Sequence, residues 1–121
     1  MSASDLVVSQ IQGVTLVSFR AASILDGAVV EAMAGELYAL VDQQAQRKLI
    51  LDFTRVQFLS SSMLGALIAL QKKSKAIKGR VIIVGLRPQL QKIFKIMKLD
   101  KILEFADDEQ EAFKRLEVFQ A

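Results

Sequence analysis

Residues 48–85 read KLILDFTRVQFLSSSMLGALIALQKKSKAIKGRVIIVG. Two short apolar runs, Lys48-Leu49-Ile50-Leu51-Asp52-Phe53 and Arg80-Val81-Ile82-Ile83-Val84-Gly85, bracket a longer segment from Ser60 to Lys78. Within that segment Met63, Ala66, Leu67 and Leu70 recur at helical spacing. Apolar runs without polar alternation fit strands buried on both faces, as in a parallel sheet. Parallel neighbours need a crossover, and a helix supplies it. Gly79 is expected to stop that helix, glycine being preferred just past a helix C-terminus. This strand–helix–strand unit sets an α/β fold, and the rest of the chain extends it on both sides.

Upstream, Leu6–Ile11 and Val14–Phe19 are rich in β-branched residues, and Gln12-Gly13 between them suits a two-residue hairpin turn. Asp26-Gly27 introduces a helix in which Val30, Met33, Leu37, Leu40 and Val41 form one stripe, with Glu31, Tyr38 and Asp42 opposite. Downstream, Pro88 sits well in the first turn of a third helix. Its inner stripe reads Leu90, Ile93, Phe94 and Met97, and Lys92, Lys95 and Lys98 face out. Ile102-Leu103-Glu104-Phe105 reads as a last strand. Asp107-Asp108-Glu109 then places negative charge at the N-terminus of a final helix, whose inner face is Ala112, Phe113 and Leu116. The order is ββαβαβαβα: one domain over residues 1–121, with a small, mostly parallel sheet packed with helices.

Composition narrows the chemistry. The chain has 121 residues, 52% of them apolar and 24% charged, enough to bury one core. It has no cysteine, hence no disulfide and no thiolate metal site. It has no histidine, which removes Ser-His pairs, the commonest zinc ligand and the usual near-neutral base. No catalytic residue, metal or cofactor is expected. The Met1–Asp5 stretch lacks the basic and apolar regions of a signal peptide, and the longest apolar run, Met63 to Leu70, is too short to span a bilayer. A cytoplasmic location is the expectation.

Charge is unevenly spread. Residues 1–46 carry a net −4, residues 47–101 a net +11 and residues 102–121 a net −4. The basic middle reads either as a face seeking an anionic partner or as helix surfaces solvated by lysine beside folded-back acidic ends. One Tyr, no Trp and no aromatic-rich strand leave nucleic acid an unexpected partner despite Lys72, Lys73, Lys75 and Lys78.

The densest polar feature is Ser60-Ser61-Ser62, after a strand and at a helix start. Open α/β sheets place functional groups there, and the free amides and dipole favour anions. Serine is also a preferred N-cap, but one cap needs one hydroxyl. Leu64 and Ile68 lie off the inward stripe. They are either exposed beside the serines as a docking surface reaching Lys72, or covered by a neighbouring helix. Asp52 weakly echoes a magnesium-binding carboxylate, but with neither GxxxxGK[ST] nor GxGxxG in the chain it is expected to bond loop backbone instead.

The stretch Val56-Gln57-Phe58-Leu59-Ser60-Ser61-Ser62-Met63-Leu64-Gly65-Ala66-Leu67 resembles the STAS family, which joins bacterial anti-sigma-factor antagonists with cytoplasmic domains of sulfate transporters. The family pattern there is an apolar pair followed by Asp-Ser-Ser/Thr-Gly-Leu-Gly. Ile24-Leu25-Asp26, Leu49–Phe53, Gly79–Val84, Leu99–Ile102 and Asp108–Ala112 extend the likeness along nearly the whole chain. The resemblance implies a regulatory partner switch, not an enzyme. The partner would be an ATP-binding kinase that is also an anti-sigma factor or switch protein, with a sigma factor as indirect beneficiary and no membrane involved. By the same resemblance Ser61 is the phosphorylated residue, with Ser60 and Ser62 as alternatives. Asp26, Ser60, Ser62, Met63, Leu64 and Ile68 then meet the partner. Ser60 stands where the motif has Asp, and Met63 where it has Gly, so Met63 is expected to add bulk on the kinase's approach. A scaffold that no longer switches is the alternative reading.

Overall fold

The computed structural model describes residues 6–119, with the side chains of residues 118 and 119 left aside; Met1–Asp5 lie outside it. The elements run β1 (Leu6–Ile11), β2 (Val14–Phe19), β3 (Ser23–Ile24), α1 (Gly27–Asp42), β4 (Lys48–Asp52), β5 (Phe58–Leu59), α2 (Ser61–Ala76), β6 (Arg80–Val84), α3 (Pro88–Ile96), β7 (Glu104–Ala106) and α4 (Glu109–Phe119). A single 3-10 turn, Leu99–Lys101, follows α3. The five-stranded sheet has the order β1-β2-β4-β6-β7, antiparallel only at β1–β2. All five strands of the expected order are present, with β7 starting two residues later than the run at Ile102 suggested.

Alternation along the central strands explains the layering. Leu49, Leu51, Val81 and Ile83 join the core beneath α1, α2 and α3, while Ile50, Ile82 and Val84 face Ala112 and Leu116 of α4. The register Leu49↔Val81, Ile50↔Ile82, Leu51↔Ile83 keeps each set on one face. On the larger face Phe19 and Phe53 pack with ring centres 4.4 Å apart and planes tilted by 44°. The α1 stripe is buried at all five expected positions. At the hairpin, Gln12 (φ 51°) and Gly13 (φ 81°) both take the left-handed conformation that a two-residue turn between twisted strands requires.

Several expectations are corrected. Ile93 and Met97 do not belong to an inner stripe: α3 lies against the core through Leu90 and Phe94 only, leaving Ile93, Ile96 and Met97 exposed. Gly79 does not supply the left-handed residue after α2; Lys78 does, at φ 60°. Gly79 is needed for space, since a Cβ there would sit 2.6 Å from Ser74 Oγ and 2.9 Å from the Arg47 carbonyl. The acidic ends do fold back. Glu104 on β7 accepts from Arg80 Nε at 2.7 Å and lies 3.3 Å from Arg115, while Lys73 on α2 reaches Asp42 of α1 at 2.8 Å. The hydrogen bond to Glu104 holds the Arg80 guanidinium above its ordinary pKa.

Two glycines test this geometry in opposite directions. Gly85 (φ +70°) would place a Cβ 2.3 Å from Thr54 Oγ1, so Gly85→Ala is expected to cost about 1–3 kcal/mol in urea denaturation. Gly65, exposed within α2 with open space at its Cβ position, is expected to gain about 0.5–1 kcal/mol as Gly65→Ala.

Candidate functional site

The site is assembled by β3 and β5, two-residue strands that pair in parallel as a sheet of their own. Gln57 and Phe58 amides donate to the Ala22 carbonyl at 2.7 and 3.1 Å, and the Ser60 amide donates to the Ile24 carbonyl at 3.0 Å. Each strand leads directly into a helix, so the N-termini of α1 and α2 emerge side by side. Asp26 caps α1, its Oδ1 accepting from the amides of Ala28 (2.8 Å) and Val29 (3.3 Å). Ser60 caps α2, its Oγ accepting from the Met63 amide at 3.2 Å. One hydroxyl of the three therefore does the capping.

Ser61 and Ser62 are the first two residues of α2, and both side chains are exposed. Their amides lie in the first helical turn, where no intrahelical acceptor exists and the dipole is positive. The apolar surroundings differ from the expected ones. Leu64 is only 5% exposed and belongs to the core, and Ile68 is half-buried against it, because α1 packs alongside α2. Neither forms an open docking surface. Met63 is fully buried, so it adds no bulk to the outer face. The exposed apolar groups are instead Leu25 (56%) and Phe58 (55%), one before the Asp26 cap and one two residues before Ser60. Sequence reading missed both. The available signal was an apolar residue beside a cap with no periodic partner.

A second polar group lies at the end of β4. Asp52 Oδ1 accepts from the Thr54 amide (2.9 Å) and from Thr54 Oγ1 (2.5 Å), which is the loop-backbone role expected of it. Asp52, Thr54, Gly85 and residues 107–110 line a cavity of about 360 Å³. A hydrogen bond to Asp52 pushes the Glu109 carboxyl above its ordinary pKa, helped by partial burial and by the charges of Asp52 and Asp108. Among the described residues no group of three or more potential ligands is placed to hold a metal.

With the geometry in hand, the comparisons define the class. Residues 5–112 match the STAS domain family, and the chain belongs to that family. Among curated relatives, BtrV of Bordetella bronchiseptica, a candidate anti-sigma factor antagonist, is 24% identical over 107 residues, covering 88% of this chain and 90% of BtrV. An anti-sigma factor antagonist from Mycobacterium paratuberculosis superposes with a TM-score of 0.79 at 24% identity, covering 91% of each chain. The phosphorylated form of SpoIIAA from Bacillus superposes at 0.70 with 23% identity, covering 92% of this chain and 98% of SpoIIAA. These structures share the fold described here. Among the described residues no helix is long and apolar enough to cross a membrane.

The caps and the carboxylate pair give two checks. Ser60→Ala is expected to cost about 1 kcal/mol, whereas Ser61→Ala and Ser62→Ala stay within about 0.5 kcal/mol, measured by denaturant titration. Because the folded state raises the Glu109 pKa, its contribution favours folding below the ordinary carboxylate range and is lost as pH rises through the raised value. Glu109→Gln is therefore expected to raise the melting temperature relative to the parent at about pH 8, with the difference shrinking towards about pH 4.

Proposed function

We propose that this chain is a partner-switching regulator of the anti-sigma factor antagonist kind, binding an ATP-dependent anti-sigma or switch kinase and released when Ser61 is phosphorylated. The observation that carries the reading is the exposed Ser61 hydroxyl at the first position of α2, beside the exposed Leu25 and Phe58, in a chain of the STAS family. Ser60 is half-buried and spends its oxygen on the cap, which leaves Ser62 as the alternative acceptor. The docking face is Leu25, Asp26, Phe58, Ser61 and Ser62; Met63 and Leu64 contribute beneath it as core. The role is regulatory, not catalytic, and the setting cytoplasmic.

The switch follows from electrostatics. A phosphate adds roughly −1.5 to −2 charges and three strong acceptors. At a helix N-terminus the dipole favours it by about 0.3–1 kcal/mol, so the fold tolerates the group. A partner packed over the same hydroxyl would bury an unpaired anion at a cost of several kcal/mol, and it leaves. Ser60 in place of the motif Asp keeps the cap while removing a neighbouring negative charge. That substitution also favours a second reading, a STAS scaffold that no longer switches.

The chain is to be used as bait for an ATP-binding partner from its native cell, then incubated with that partner and ATP and read by mass spectrometry. Phosphate on Ser61 or Ser62 is the expected result; a partner kinase that binds yet modifies neither overturns the switch. Ser61→Asp is expected to weaken partner binding at least about tenfold with little change in melting temperature, and Phe58→Ala to weaken it by about 5-fold or more. Ser60→Asp separates the two readings, since phosphorylation that appears only in this variant identifies a silent scaffold.

A further inference from the structure

Among the described residues no element covers the outer side of α3. Leu90 and Phe94 face the core, while Ile96 is 80% exposed and Ile93, Met97 and Ile102 are each about half exposed. Lys92, Lys95, Lys98 and Lys101 interleave with them, and none of these four ammonium groups is in an ion pair or side-chain hydrogen bond among the described residues. Residues 86–103 hold five basic groups against one acid, Asp100. The ridge is thus apolar along its crest and cationic along its flanks.

The geometry points to shallow docking of this ridge on an anionic lipid surface. None of the four exposed apolar side chains lines the groove of about 540 Å³ between α3 and α4, whereas Lys92 and Lys95 border it, so the apolar crest stands outside that groove. Its composition also differs from that of a protein-binding patch. Protein interfaces are depleted in lysine and their hot spots draw on Arg, Tyr and Trp, none of which this crest presents; Met97 is its one interface-enriched residue. A second copy packed ridge to ridge would set lysine against lysine. A lipid interface accepts protruding apolar groups, lets lysine stems lie along them, and attracts each ammonium to its headgroups. This departs from the expectation that no membrane takes part, and it stands independently of the switch at Ser61. α3 starts at the carboxyl edge of the parallel strands and runs back, away from the edge at which α2 begins.

The test is co-sedimentation of the full chain with vesicles of phosphatidylglycerol and phosphatidylcholine, against phosphatidylcholine alone, at low and raised salt. Binding is expected only with the anionic lipid, weakening with salt. It should fall by about tenfold in Lys92→Gln/Lys95→Gln and similarly in Ile96→Gln, with melting temperatures unchanged. No binding at low salt overturns the inference. So does binding that Ile96→Gln leaves intact, because a purely electrostatic contact does not use the crest. Binding to an acidic amphipathic peptide without binding to vesicles overturns it in favour of a protein partner.

Discussion

Everything in this molecule follows from two strands that cannot meet water on either face. β4 and β6 are apolar at nearly every position, and their alternate side chains point in opposite directions into separate cores. Helices must cover both sides, and parallel pairing forces the chain to return between strands. Helix N-termini then collect beyond the carboxyl edge of the sheet. The β3–β5 pair refines this by holding two such termini together, so that Asp26 and Ser60 cap neighbouring helices from one platform.

That platform explains how a STAS chain can lose the motif carboxylate and stay folded. The residue at position 60 has a structural duty, accepting the Met63 amide, that serine performs as well as aspartate. The residue at position 61 is exposed and takes no part in the cap. Met63 takes the place of a glycine without disturbing the surface because its side chain turns into the core, where Leu67 and Leu70 also lie.

Strong local signals made most of the fold legible. The hairpin was carried by Gln12-Gly13, α1 by an unbroken stripe, and β4 and β6 by runs too apolar for an edge. What failed did so for identifiable reasons. Leu64 stayed open between exposed and covered because a single-stripe reading assumes one packing partner, whereas α2 packs against both the sheet and α1 and buries a wider arc. Ile93 and Met97 looked buried for the converse reason: α3 lies near the end of the sheet, and none of the described residues packs outside it. Two-residue strands have no periodicity to detect, so β3 and β5, and with them the exposure of Leu25 and Phe58, were beyond pattern reading. The serine cluster was found from sequence; the division of labour within it needed the hydrogen bond to Met63.

The separation of the α2 N-terminus from the far end of α3 has an electrical consequence. A five-residue strand such as β6 spans roughly 17 Å, about twice the decay length of a surface charge's potential in physiological salt. Anions added or removed near Ser61 therefore act on the far end of α3 only through a screened potential. The two regions are thus coupled weakly, and more weakly as salt rises.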